Sequence, residues 1–347
     1  MLNKHILRIP ALLIAATFMA TGCVEDHLPE IADSFDKDAA FSTTVYRPIL
    51  GRTTVFGDNF NAGNSTQPLT FTLTEVRHAD GTPAPELTEL FPVQVWTSPY
   101  LGTETSLQEI EAKRSYENRP LLQVRQHSGE IVMWANAKSS FVACNPSEGY
   151  VFTVKAENSG GYRFYTGLKL IPERETDYEP NNVDEETGFI KEDYIHPERI
   201  SGVSAMDNSW KFLTTDDVRI YFHRDLDNKD KENTLTFKFL NSDYTVIDPH
   251  KFNQTDWTTL VHGFEPQVTE EYVRYKVAYP IPLNNVPTKY TDSKGEKASV
   301  NFRYDRIGRN GRRMNSSLGF DFSIFTAGHW EIVIVFYGGS PEFRDNM

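Results

Sequence analysis

The sequence predicts an all-β protein with two antiparallel β-sandwich domains. The first, residues 41–172, reads as immunoglobulin-like. The second, residues 201–347, reads as jelly-roll-like or immunoglobulin-like. Three observations carry this. Short runs alternate apolar and polar residues with period two, as in Leu69-Thr-Phe-Thr-Leu-Thr-Glu-Val76 and Thr234-Leu-Thr-Phe-Lys-Phe239, the pattern of a strand with one face buried. Turn residues such as Asp80-Gly81 and Asn158-Ser-Gly-Gly161 punctuate these runs. A chain of 347 residues that is 39% hydrophobic, with 23 Phe and 16 Tyr, has the apolar material for more than one core.

Taken in order, the chain opens with Lys4, His5 and Arg8, then a run from Ala11 to Ala20 that is apolar except for Thr17. A basic start, a short apolar stretch and small residues describe a secretory signal peptide over residues 1–22. Ten apolar residues fall short of the roughly 20 that span a bilayer. Ala20-Thr21-Gly22-Cys23 resembles the lipobox of bacterial lipoproteins, which implies that Cys23 is acylated, becomes the new N-terminus and anchors the chain to the membrane by its lipid. Residues 23–40 read as an acidic tether, with six acids and one lysine between Val24 and Asp38. Glu25-Asp26 also resembles the acidic export tag of Bacteroides-type lipoproteins, which implies the bacterial outer membrane, facing the exterior.

In the first sandwich, Leu121–Gln126 and Glu130–Ala135 flank His127-Ser128-Gly129 as a hairpin. Tyr150–Lys155 and Tyr162–Leu170 flank a second. One helix interrupts the strands, opened by the capping box Ser106-Leu-Gln-Glu109 with Lys113 and Arg114 at its end. From Pro172 to Pro197 nine acids face two basic residues, so residues 173–200 read as an acidic linker between domains. Strands resume with Asp217–Phe222, Thr234–Phe239 and Tyr272–Val277, then Ser299–Arg306 and Leu318–Phe325 across a long Gly-rich turn. Trp330–Tyr337 is nearly all apolar, the mark of a strand covered on both faces.

The chemistry is sparse. A formal charge of −13 argues against nucleic acid as a partner, because phosphate neutralisation by Lys and Arg dominates that affinity. With Cys23 lipidated, Cys144 has no disulfide partner and reads as a buried, inert thiol. No histidine pair with metal spacing, nucleophile elbow, phosphate loop or dinucleotide fingerprint occurs, so no catalytic residue, metal or cofactor is expected. Asp225-Leu-Asp-Asn-Lys-Asp-Lys-Glu232 approaches a calcium loop but lacks its glycine and carries Lys229 at a ligand position. Two features suit a ligand. Arg303, Arg306, Arg309, Arg312 and Arg313 crowd eleven residues of an acidic chain, and guanidinium forks match carboxylate or sulfate oxygens. Arg309, Arg312 and Arg313, nearest the turn Asn310-Gly311, are expected to point outward, and Arg303 and Arg306 to serve structure. Trp210 and Trp257 open from polar turns and are the platform candidates for stacking on sugar rings. Trp96, Trp134 and Trp330 lie in apolar strands and read as core.

Several blocks, including Ser106–Arg114, Gly149–Val154 with Asn158–Gly161, Tyr178-Glu-Pro180, Tyr279-Pro-Ile-Pro-Leu283 and Gly328-His-Trp-Glu-Ile332, resemble a family of Bacteroides-group lipoproteins described as a domain of unknown function. That resemblance transfers no catalytic residue. It implies a setting beside surface systems that capture and import polysaccharides. The expected function is therefore a non-catalytic, surface-anchored lipoprotein that binds glycan or assists an outer-membrane transporter. The alternatives are a structural or adhesive lipoprotein resembling fimbrial subunits, and a glycoside hydrolase whose carboxylate pair is not legible in the sequence.

Overall fold

Strands form where the period-two runs stand, and each buries the face its apolar residues mark. The computed structural model describes residues 33–184, 189–207, 210–309 and 311–345. On the N-terminal side the strands are β1 (Ala40–Phe41), β2 (Val45–Tyr46), β3 (Thr54–Phe56), β4 (Phe60–Asn61), β5 (Thr70–His78), β6 (Leu90–Trp96), β7 (Arg114–Pro120), β8 (Leu122–Val124), β9 (Ile131–Met133), β10 (Tyr150–Asn158) and β11 (Gly161–Leu170). A sheet β2-β11-β10-β5 faces a smaller sheet β3-β9-β8, with β1 and β4 paired at the side. Tyr46, Phe71, Leu122, Ile131 and Phe152 fill the space between. Both expected hairpins, β8–β9 and β10–β11, are present and antiparallel. In the first, Gly129 sits at φ +72°. A Cβ there would lie 2.9 Å from the Phe71 ring, so the turn packs onto the core only with glycine.

The single helix, α1 (Leu107–Glu111), starts at Ser106, whose Oγ accepts the Glu109 N–H at 3.2 Å. The reciprocal half of the box is displaced by one residue: Glu109 Oε2 accepts from Thr105 N–H. The helix joins β6 to β7, and these two strands pair only with each other among the named strands. They carry Trp96, Tyr100 and Ile110 away from the N-terminal core and against Ala278 and Leu283.

On the C-terminal side follow β12 (Tyr178–Glu179), β13 (Arg199–Ser201), β14 (Arg219–Asp225), β15 (Thr234–Leu240), β16 (Phe264–Val268), β17 (Val273–Lys276), β18 (Ala298–Ile307), β19 (Arg313–Ile324) and β20 (His329–Val335). A five-stranded sheet β14-β20-β15-β17-β16 faces a sheet built on the β18–β19 hairpin, to which β12 and β13 add. Phe237, Phe239 and Trp330 from one layer meet Phe302, Phe320 and Phe322 from the other. The Phe302 and Phe239 rings stand edge to face, 4.9 Å apart, an arrangement favoured by the ring quadrupole. β20 lies centrally, antiparallel to β14 and parallel to β15; Trp330, Ile332 and Ile334 face the core, whereas the outer face begins with the polar His329 and Glu331.

Two details depart from the sequence pattern. The turn before β19 is tight, because β19 begins at Arg313 and the Gly308 N–H donates to Arg312 O at 2.8 Å. The acidic stretch 173–200 is laid against its neighbours where it is described. β12 and β13 both pair with β19, Ile195 bridges to Ile220, and Arg52 reaches Glu179 at 2.6 Å. Its backbone polar groups thereby find partners that a solvated linker would have left to water.

Candidate functional site

Two hairpins meet beyond the C-terminal end of β20. The first brings residues 204–207 against 210–212 and is closed by a Ser204–Phe212 bridge and by the Ala205 N–H donating to Lys211 O at 2.9 Å. It is fastened to the chain after β20 through an Ala205–Pro341 bridge and a Met206 N–H to Ser340 O bond. The second is the β18–β19 turn. Together they place the Arg309 guanidinium 5.8 Å from the centre of the Trp210 ring. Trp210 is 76% exposed, and Met206 and Phe212 are exposed on the same hairpin. A neighbouring turn, tied in by Ser242 and Ser340 hydroxyls 3.0 Å apart, exposes Tyr244 and Val246. An exposed indole offers apolar contact to the C–H face of a sugar, and an adjacent guanidinium offers two parallel donors to an anionic group. Trp210 and Arg309 are 99 positions apart in sequence, and the fold brings them together.

The other sequence candidates are placed as follows. Arg312 and Arg313 are exposed on the same turn, and Arg313 Nε lies 3.3 Å from Asp305 Oδ2. Asn310 lies outside the described residues. Arg306 is buried and donates from Nη2 to Ser204 Oγ at 2.5 Å, whereas Arg303 lies on the exposed face of β18. Alternation explains the contrast: Phe302, Tyr304 and Arg306 share the inner face. Trp257 stands apart from Trp210. Its ring packs 5.9 Å from Phe302 and 6.2 Å from Phe239, and its carbonyl accepts the Tyr275 hydroxyl, so its faces are committed to the core. Cys23 lies outside the described residues. Burial pushes the Cys144 thiol up, the opposite of what a nucleophile needs.

A second concavity was not foreseen from the sequence. It lies over the outer face of the five-stranded sheet, at the opposite end of β20 from Trp210, with a volume of about 170 Å³. The register sets two polar rows across that face. One runs Asp225–His329–Thr234–Lys276, the other His223–Glu331–Thr236–Arg274–Gln267. The β14–β15 loop, with Asp230 and Glu232, forms one wall, and Glu265 forms the other. Glu265 sits at φ +51°, where β16 slips register against β17. Such bulges re-aim side chains, and here the carboxylate is turned to Lys276, whose Nζ lies 3.0 Å from Glu265 and 3.2 Å from Glu232. Those two carboxylates hold the Lys276 ammonium above its usual range. Glu331 is matched by Lys238 at 2.8 Å. Arg274 donates from Nε to Thr236 Oγ1 at 3.1 Å.

The floor is buried and polar: Thr236 is 1%, Thr234 8% and His329 9% exposed. His329 Nδ1 lies 2.9 Å from Thr234 Oγ1. Its Nε2 approaches Asp230 Oδ1 to 2.8 Å but without hydrogen-bond geometry. A buried polar atom without a well-formed bond costs about 1–3 kcal/mol. The signal for this site lay in the outward positions of the strands, where Thr234, Thr236, Arg274, Lys276, His329 and Glu331 are polar within otherwise apolar runs. Among the described residues no group of three or more His, Cys, Asp or Glu side chains is arranged to hold a metal ion.

No curated protein and no solved structure matches the chain. A family model does match, from the start of β4 to the end of the described residues. Over residues 60–345 the chain matches the family described as Domain of unknown function (DUF5007), and it belongs to that family.

Proposed function

We propose that the protein is a non-catalytic lipoprotein of a bacterial outer membrane, anchored through lipid on Cys23, facing the exterior and binding glycan for a polysaccharide uptake system. The observation that carries the reading is the meeting of Trp210 and Arg309 on two fastened hairpins, with further exposed apolar side chains around them. An aromatic face next to a guanidinium suits a sugar that carries a carboxylate or sulfate. The lipobox at Ala20–Cys23 and the resemblance to Bacteroides-group lipoproteins support the location and the setting.

The test is retention on polyuronate and heparin-like columns, with a neutral glycan column as reference. The full chain is expected to be retained at low salt and released as salt rises, because exposed charges are screened over about 8 Å at physiological ionic strength. Trp210→Ala together with Arg309→Ala is expected to abolish retention. Both side chains are exposed, so the melting temperature should hold within about 0.5 kcal/mol of equivalent stability. A wild-type chain that passes all three columns at low salt overturns the reading.

A further inference from the structure

The polar cleft at the start of β20 does not depend on the Trp210–Arg309 end and goes beyond it. We propose that the cleft binds an amino sugar, a hydroxylated ring that carries an ammonium group. Three observations lead there.

The first is size. About 170 Å³ is smaller than the roughly 300–1,000 Å³ of sites for larger ligands, so the cleft holds one ring and not a run of a chain. The second is the floor. Thr234, Thr236 and His329 are buried polar groups facing the cavity, and Nε2 of His329, in a side chain about nine-tenths buried, has no well-formed hydrogen bond. Hydroxyl groups, which both donate and accept, satisfy such a floor. Arg274 adds to it: Nε is held by Thr236, and the Nη edge remains for a ring oxygen.

The third is the sign of the charge. Glu232 and Glu265 share the single ammonium of Lys276, and Glu331 is taken by Lys238. Asp225 and Asp230 also line the cavity; both accept loop backbone N–H groups and Asp230 Oδ1 lies 2.8 Å from His329 Nε2, but neither has a lysine or arginine partner among the described residues. Five carboxylates, Asp225, Asp230, Glu232, Glu265 and Glu331, line the cavity against two cations, Arg274 and Lys276, so the lining is anionic in balance. A uronate or sulfated ring would meet like charge, whereas an ammonium group completes the set. Its place is beside Asp225 and Asp230, with the ring hydroxyls on the threonine floor.

Isothermal titration of the full chain in detergent tests this with three probes. Glucosamine is expected to bind. N-acetylglucosamine, which keeps a hydroxylated ring but carries no charge, is expected to bind about tenfold more weakly or worse, the worth of one charge-assisted hydrogen bond. Glucuronate is expected to give no heat. Asp225→Asn with Asp230→Asn should bring glucosamine down to the level of N-acetylglucosamine. Glu265→Gln, on the exposed wall and outside the loop, should weaken it less. Trp210→Ala should leave the titration unchanged, which keeps this proposal separate from the glycan reading. Absence of glucosamine binding, glucuronate binding of equal strength, or an unchanged affinity in the double asparagine variant overturns it.

Discussion

His262 reaches across from the C-terminal half to Tyr100 of the N-terminal half, with Nδ1 2.5 Å from the Tyr100 hydroxyl. Its Nε2 lies 2.9 Å from the Glu104 carbonyl oxygen, and its ring stacks on Tyr290 at 4.6 Å. A carbonyl only accepts, so Nε2 carries the proton and Nδ1 accepts from the tyrosine. This arrangement uses the neutral ring.

Burial lowers the His262 pKa below its usual value. A histidine lowered in the folded state leaves the unfolded chain binding more protons below about pH 6.5, so stability falls as pH falls through that region. The expected slope from this one residue is at most about 1.4 kcal/mol per pH unit. Urea unfolding at stepped pH checks it. Replacing His262→Gln should lower stability at neutral pH by about 1–2 kcal/mol, since the bonds to Tyr100 and Glu104 are disturbed, and should remove that part of the pH slope. An unchanged slope would place the acid sensitivity elsewhere.

Gly102 marks the same seam. It sits at φ +74°, and a Cβ added there would lie 2.5 Å from Thr288 Cγ2. Gly102→Ala is expected to cost about 2 kcal/mol through strain and overlap together. Adding Thr288→Ser, which keeps the hydroxyl and removes the methyl, should recover only the methyl's part of the overlap, because Thr288 Cβ would itself lie 2.8 Å from the new Cβ. Thermal melts of the single and double variants separate the two contributions. If the double variant melts no higher than Gly102→Ala, the Thr288 methyl is not the obstacle.

Arg306 is a buried cation whose Nε and Nη1 find no hydrogen-bond partner among the described residues. Breaking a well-satisfied buried ion pair costs about 3–5 kcal/mol, whereas exchange of an ill-satisfied buried charge for an apolar side chain of similar size is often neutral or stabilising. Arg306→Met is therefore expected to stay within about 1 kcal/mol of wild type or to gain stability, measured by chemical unfolding. A loss of several kcal/mol would show that the guanidinium field on the neighbouring Glu342 carboxyl, which it helps to hold below its usual range, outweighs the desolvation.

Local features were the legible ones. The β8–β9 and β10–β11 hairpins and the start of α1 follow from turn residues and caps that act within a few positions. The long-range features were not legible. Trp210 and Trp257 both follow polar turns in sequence, yet one is largely exposed and the other packs on Phe239 and Phe302. The difference depends on which strands arrive above them. The cleft is a sharper case. Asp225, Thr234, Lys276 and His329 share a row only because β20 inserts between β14 and β15, and no periodicity within one strand reports its neighbours.

That insertion has a bearing on how the chain comes into being. β14 and β15 are successive in sequence, but the slot between them belongs to β20, which is made after all the other named strands. Until residues 329–335 arrive, Ile220 on one side and Phe237 on the other border an unfilled groove with two rows of unpaired backbone groups, an invitation to foreign strands. Synthesis and folding of the C-terminal half are thus out of step by design of the topology. A message cut short before His329 yields a chain with most of its strands and nothing to zip them, dependent on an escort until it is degraded.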